Sequence, residues 1–152
     1  LTHVTTVVLK GLAPVLEELN PDRVLVHGDT TTTFAGALAA FYSKFPVGHV
    51  EAGLRSGDLY APWPEELNRR ITDQISDLHF APTETARKNL LNNGISGTNI
   101  YVTGNTVIDA LLGVSNLLEK NDKLRAEANL GLPELNEQKQ LIVEILRMFV
   151  IH

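Results

Sequence analysis

The sequence predicts an α/β fold in which a Rossmann-like parallel sheet carries helices on both faces. Two observations lead to this prediction. Short apolar segments with the composition of buried strands alternate with longer segments whose apolar residues recur at helical spacing. Residues that favour turns, chiefly Asn, Pro and Gly, separate the two kinds of segment. Such alternation is typical of βαβ units, which build parallel sheets.

Four strands and five helices are predicted in alternating order. The strands are expected at residues 23–27, 46–50, 78–81 and 100–103. The helices are expected at residues 3–20, 30–43, 64–75, 84–92 and 106–128. Hydroxyl residues able to cap a helix open the second of these helices, and an Asn-Gly pair ends the fourth.

The composition is that of an ordinary globular domain and counts against several classes of protein. Of the 152 residues, 43% are hydrophobic and 20% are charged, so the chain can bury a core. The net charge of -5 and the lack of a Lys/Arg block argue against a nucleic-acid partner. The absence of cysteine rules out disulfides and is compatible with the cytoplasm. No apolar run is long enough to span a membrane.

Acidic residues follow the first two predicted strands directly, where an open parallel sheet binds its ligands. Asp29 comes after the first strand and Glu51 after the second, while Glu65 stands at the start of the next helix. The three carboxyl groups are therefore expected at one rim of the sheet. Crowded carboxyl groups tend to have separated pKa values, which lets one act as a base and another as an acid.

Each of these residues also has a structural interpretation that needs no catalysis. Asp29 precedes a run of four threonines, where a helix N-cap is common. Glu65 and Glu66, in the first turn of a helix, are usually surface charges that the helix dipole favours. His27 and His49, at strand ends, are more often hydrogen-bonded structural residues than ligands. Taken singly, the residues favour these structural interpretations.

Five motifs at the same positions resemble the non-hydrolysing UDP-N-acetylglucosamine 2-epimerases of bacteria. They are VHGDTTTT (26–33), PVGHVEAGLRSGD (46–58), PWPEELNRR (62–70), FAPTE (80–84) and TGNTVIDAL (103–111). Their order and spacing are those of the family, from about residue 5 to about residue 142. Five linked motifs are much more specific than a single glycine-rich signature.

The resemblance implies an activity as well as a fold. Members of the family interconvert UDP-N-acetylglucosamine (UDP-GlcNAc) and UDP-N-acetylmannosamine (UDP-ManNAc) by eliminating UDP and adding it back through 2-acetamidoglucal. The resemblance implies catalytic roles for Asp29, Glu51 and Glu65, with Asp29 and Glu51 also binding substrate. It implies no metal and no other cofactor. It also implies a homodimer.

The resemblance further implies that the chain is a fragment. The family has two Rossmann-like domains in the GT-B arrangement, with the active site between them. Residues 1–130 are expected to form part of the N-terminal domain, and residues 131–152 a linker and a divergent tail. The opening strand and the second domain are expected to be missing, so His152 is not expected to be the family's active-site histidine. We therefore expect the isolated chain to be inactive.

Three alternatives stay open. A hydrolysing epimerase, which releases N-acetylmannosamine and UDP, would share the fold and the cleft. A GT-B glycosyltransferase would pass the sugar to an acceptor and would not be expected to carry this set of carboxylates. A non-catalytic remnant or interaction module would need no site at all.

Overall fold

The computed structural model describes residues 1–128. The chain divides into two compact units, the first formed by residues 1–105 and the second beginning at residue 106. The predicted linker and tail at residues 131–152 lie outside the described residues.

Four helices and four strands make up the first unit. The helices are α1 (Thr2–Leu19), α2 (Thr31–Tyr42), α3 (Glu65–Ile75) and α4 (Glu84–Asn92). The strands are β1 (Val24–His27), β2 (Val47–Val50), β3 (Leu78–Ala81) and β4 (Ile100–Val102), and a short 3-10 turn at Gly97–Asn99 precedes β4. Each predicted element of this unit is confirmed, with its ends placed to within about one residue.

The four strands form one parallel sheet in the order β1-β2-β3-β4. Every strand pairs with the next one along the chain, so that His49 of β2 lies between Val26 of β1 and His79 of β3. A helix joins each strand to its neighbour. The predicted α/β class with a parallel sheet is therefore confirmed. Because right-handed crossovers that advance in one direction leave their helices on one face, α2, α3 and α4 lie on the same side.

Two apolar clusters fill the space between this face and its helices. The first joins Leu16 of α1 and Val26 of β1 to alanines of α2. The second joins Ala81 of β3, Leu90 of α4 and Ile100 of β4. These clusters fix the helices against the sheet and so determine where the loops at its carboxyl end can lie.

The opposite face of the sheet is also apolar. Phe80 and Tyr101 stack there with ring centroids 6.1 Å apart. Leu25 and Phe80 both lie over Gly48 of the central strand β2, and 62% of the Leu25 surface is exposed. The layer of helices expected on this face stays a prediction.

The second unit begins with two helices, α5 (Thr106–Lys120) and α6 (Asp122–Ala128). The prediction of one continuous helix over residues 106–128 is wrong. The break falls at Asn121, whose Oδ1 accepts a hydrogen bond from the amide of Leu124 at 3.1 Å and so caps a new helix. Among the helices of residues 1–128, none is long and apolar enough to cross a membrane.

Candidate active site

Asp29 lies in the loop between β1 and α2, beyond the carboxyl end of the sheet. The N-cap of α2 is the next residue, Thr30, whose hydroxyl accepts a hydrogen bond from the amide of Thr33 at 3.1 Å. The capping role that the sequence suggested for Asp29 is therefore wrong. Its side chain is released for other contacts.

Those contacts reach α3. Asp29 is buried, and its Oδ2 accepts a hydrogen bond from Nη2 of Arg69 at 2.5 Å. Its main-chain carbonyl accepts a second one from Nδ2 of Asn68 at 2.9 Å. Both partners belong to the PWPEELNRR motif, so the structure joins two of the five motifs through Asp29. The Arg69 guanidinium balances the charge of the carboxylate.

Glu51 follows β2 directly and adopts a left-handed backbone conformation, with φ of 69°. Its side chain is 10% exposed, and Oε2 lies 3.7 Å from Nε2 of His27 at the end of β1. The two strands are neighbours with His27 opposite Val50. Glu51 and Asp29 therefore leave the sheet side by side, at one rim.

Glu65 is the first residue of α3. It precedes Asn68 and Arg69 by three and four positions, so the three share one helical face. Because Asn68 and Arg69 both contact Asp29, that face is turned toward the same rim. Oε2 of Glu65 is buried and has no hydrogen-bond partner among residues 1–128. Buried polar atoms are nearly always paired, so this oxygen is unusual as an acceptor without a donor among the described residues.

Glu66 is fully buried, and the surface role that the sequence suggested for it is wrong. Its Oε2 accepts hydrogen bonds from the Ser56 amide at 3.0 Å and from Nη1 of Arg69 at 3.2 Å. Its Oε1 accepts one from Nε of Arg70 at 2.7 Å. Glu66 thus links the loop after β2 to the arginine that holds Asp29.

These contacts determine how Glu66 titrates. Burial acts to raise the pKa of its carboxyl, but the Ser56 amide, the Arg70 hydrogen bond and the charge of Arg69 outweigh burial and hold the pKa below its ordinary value of 4.5. The folded chain therefore binds this proton more weakly than the unfolded chain does. Glu66 stabilises the fold fully above that ordinary value, and its contribution is lost as pH falls through the lower, folded-state pKa.

We expect the Glu66→Gln variant to lose part of this pH dependence. Urea unfolding between about pH 3 and about pH 7 should show a shallower fall in unfolding free energy on the acid side than the unsubstituted chain shows. The matched control is Glu84→Gln, which changes an exposed glutamate in the first turn of α4. Equal acid slopes for the Glu66 and Glu84 variants would contradict the role given to Glu66.

A second buried set of polar and charged side chains lies behind the rim. His49 is fully buried, with Nδ1 2.6 Å from Oδ1 of Asp73 and Nε2 2.8 Å from the carbonyl oxygen of Gly28. Oδ2 of Asp73 lies 2.8 Å from Nη2 of Arg55, a charge contact without the angles of a hydrogen bond. The hydrogen-bonded structural role suggested for His49 is confirmed. Asp73 and Arg55 had no predicted role.

The match with known proteins extends beyond the motifs. The family model described as UDP-N-acetylglucosamine 2-epimerase matches residues 1–145. The chain belongs to this family. The UDP-N-acetylglucosamine 2-epimerase family predicted from the five motifs is therefore confirmed, and its non-hydrolysing subtype stays a prediction.

Curated members of the epimerase family are closely similar to the chain. The UDP-N-acetylglucosamine 2-epimerase of Escherichia coli K12 is 55% identical over 143 residues, which are 94% of this chain and 38% of that protein. A putative UDP-N-acetylglucosamine 2-epimerase of Thermotoga maritima is 64% identical over 111 residues, which are 73% of this chain and 29% of that protein. The chain thus spans less than two fifths of the length of these relatives.

Solved epimerase structures share the fold. The UDP-GlcNAc 2-epimerase of Neisseria meningitidis, bound to UDP-GlcNAc, superposes with a TM-score of 0.82 at 53% identity over 87% of this chain and 35% of that one. The Methanocaldococcus jannaschii UDP-GlcNAc 2-epimerase, in complex with UDP-GlcNAc and UDP, gives a TM-score of 0.77 at 49% identity over 83% of this chain and 34% of that one.

Proposed function

We propose that this chain belongs to a non-hydrolysing UDP-GlcNAc 2-epimerase, which interconverts UDP-GlcNAc and UDP-ManNAc. The chain supplies the side of the active-site cleft that carries the catalytic carboxylates. The observation that carries the proposal is the delivery of Asp29, Glu51 and Glu65 to one rim of the sheet. Membership of the epimerase family and two solved relatives with UDP-GlcNAc bound support it. In the proposed enzyme a second domain of the GT-B arrangement closes the cleft.

The proposed reaction inverts C2 without removing its proton from the intact sugar nucleotide, because that proton is not acidic. In the first half, the C1–O bond breaks first and UDP leaves with its electron pair. A carboxylate then takes the C2 proton, and the electron pair of the C2–H bond forms the C1–C2 double bond of 2-acetamidoglucal. In the second half, UDP adds back to C1 and a proton reaches C2 from the other face. One proton is taken and one is returned, so the chemistry consumes no oxidant and calls for no cofactor.

The three carboxylates are suited to this proton transfer because their surroundings differ. Arg69 balances the charge of Asp29, whereas Glu65 keeps a buried oxygen without a hydrogen-bond partner among the described residues. The Glu51 side chain is 10% exposed and faces His27. Carboxyl groups in unequal environments can divide acid and base work between them. Asp29 and Glu51 are also the proposed contacts to substrate.

The test uses a chimera, in which this chain replaces the matching segment of the Escherichia coli relative. We expect Asp29→Asn and Glu51→Gln to lower kcat of the chimera about a hundredfold or more, since a carboxamide keeps the size but cannot exchange a proton. Proton NMR of the sugar signals would measure the conversion of UDP-GlcNAc. The control is Asp58→Asn, which alters an exposed acid in the loop after β2. Near-normal rates for both variants would return Asp29 and Glu51 to structural roles.

The same spectra separate the proposed reaction from its alternative. A non-hydrolysing enzyme yields UDP-ManNAc, whereas a hydrolysing epimerase releases free N-acetylmannosamine and UDP. The proposal also includes a cytoplasmic homodimer that needs no nucleic acid, membrane or cofactor. Light scattering of the chimera would test the dimer.

A further inference from the structure

The ring of His49 is held at both nitrogens by acceptors. Nδ1 lies 2.6 Å from a carboxylate oxygen of Asp73, and Nε2 lies 2.8 Å from the carbonyl oxygen of Gly28. A carbonyl oxygen has no hydrogen to donate, and neither has an ionised carboxylate. Both contacts are attractive only if both ring nitrogens carry hydrogen, which is the imidazolium form.

A neutral His49 would place a lone pair against an acceptor on one side of its ring. Protonating Asp73 would remove that conflict, but the other oxygen of this carboxylate lies 2.8 Å from Nη2 of Arg55. That ion pair favours the ionised carboxylate, and each of its two oxygens then faces one cation. The geometry is consistent with one arrangement, an aspartate between an arginine and an imidazolium.

The charges around the site accommodate a buried imidazolium. Five carboxylates lie in and behind the rim with three guanidinium groups: Asp29, Glu51, Glu65, Glu66 and Asp73, with Arg55, Arg69 and Arg70. A positive charge on His49 reduces the excess of negative over positive charge in this cluster. His79, its neighbour on β3, does not compete for the Asp73 carboxylate, because its Nε2 donates to the Asp73 carbonyl at 2.8 Å and its Nδ1 has no hydrogen-bond partner among the described residues.

The second hydrogen bond of His49 reaches the loop that carries Asp29. Gly28 immediately precedes Asp29 and has a left-handed backbone conformation, with φ of 73°. The orientation of the Gly28 carbonyl fixes the peptide plane from which Asp29 leaves. Arg69 and Asn68 hold Asp29 from the α3 side, and His49 holds the same loop from beneath.

We propose that His49 is a positioning residue, a buried imidazolium that fixes the Gly28 carbonyl and thereby the carboxylate of Asp29. The proposal rests on the proposed epimerase function only for its effect on turnover. Its two structural claims concern the chain alone, and NMR can examine them without any enzymatic assay.

The first measurement is the ¹⁵N NMR spectrum of the histidine rings of the chain at about pH 8, where an exposed histidine is neutral. We expect both ring nitrogens of His49 to carry hydrogen, and His79 to show one protonated nitrogen and one lone pair. The His49→Gln and His79→Gln variants assign the signals by their loss. A lone-pair nitrogen on His49 would overturn the imidazolium.

The second measurement separates the two contacts of the ring. A glutamine amide extends about as far as Nε2 and can still donate to Gly28, whereas an asparagine amide ends near Nδ1 and reaches only Asp73. We expect the backbone signals of Gly28 and the carboxyl signal of Asp29 to shift strongly in His49→Asn and much less in His49→Gln. Equal shifts in both variants would overturn the link to Gly28.

The same pair of variants in the chimera gives the effect on turnover. We expect kcat to fall about tenfold or more further in His49→Asn than in His49→Gln, because small displacements of a catalytic group are costly. His79→Asn, whose shorter amide no longer reaches the Asp73 carbonyl of α3, should destabilise the fold but leave kcat within about twofold. Equal kcat values for the two His49 variants would count against positioning. A chimera without activity before substitution would instead contradict the proposed function, and the NMR spectra would still decide the role of His49.

Discussion

Replacing Gly53 with alanine is expected to destabilise the fold by about 3 kcal/mol or more. Gly53 lies in the loop after β2 with φ of 85°, and a Cβ added there would stand 2.3 Å from the carbonyl oxygen of Ala86 and 2.8 Å from Cγ of Leu90. The first of these atoms is backbone in α4 and cannot rotate away as the end of a side chain could. The variant therefore combines left-handed strain with a collision that only movement of α4 can relieve.

The loop provides its own control for this variant. Gly57 has a similar backbone conformation, with φ of 90°, but a Cβ added there would meet no atom within 4 Å. Gly57→Ala should therefore cost only the left-handed strain, about 1–2 kcal/mol. Urea unfolding gives the free energy of unfolding of each variant, and the difference between the two values is the cost of the collision with α4. Equal losses would show that α4 moves aside without cost.

The chain by itself is expected to convert no UDP-GlcNAc, even with Asp29, Glu51 and Glu65 intact. In the proposed mechanism the sugar nucleotide is held between two domains. The chain corresponds to 38% of the length of its Escherichia coli relative. Holding reactants in place lowers the activation barrier by about 7–11 kcal/mol in favourable cases. Without the second domain to hold the sugar nucleotide, measurable turnover should be lost. Proton NMR of the purified chain with UDP-GlcNAc should show neither UDP-ManNAc nor the glucal.

The active chimera is the positive control for this experiment, because it presents the same carboxylates opposite a second domain. Turnover by the isolated chain above a sample without protein, and abolished by Asp29→Asn, would contradict the expectation. It would mean that this part of the family fold carries enough of the active site to catalyse the reaction without the second domain.

Local signals were sufficient to locate the elements of the sheet and the rim. Asparagine followed by proline ended α1, and asparagine followed by glycine ended α4, as their propensities predict. The rule that ligands bind beyond the carboxyl ends of parallel strands placed Asp29 and Glu51 side by side. The break at Asn121 was missed because asparagine is tolerated inside a helix as well as before one. The hydrogen bond by which Asn121 caps α6 forms only when the backbone of residues 121–124 already has the geometry of a helix start.

The buried polar face of α3 could not be predicted in this way. Glu66, Arg69 and Asp73 recur at helical spacing, but charged residues in a stripe ordinarily face solvent. Their burial depends on partners far along the chain, such as Asp29, which is 40 positions from Arg69. The available signal was the mixture of both charge signs along one stripe of a helix, which allows the charges to pair when buried.

Glu51 occupies a left-handed conformation that costs a residue with a side chain about 1–2 kcal/mol. Glycine at this position would avoid that cost but would have no carboxylate to offer. A laboratory screen of random variants that rewards heat resistance alone should therefore enrich glycine at position 51 and discard the proposed catalyst in the same step. Evolving a more thermostable form of this protein therefore requires selection for turnover together with selection for thermal stability.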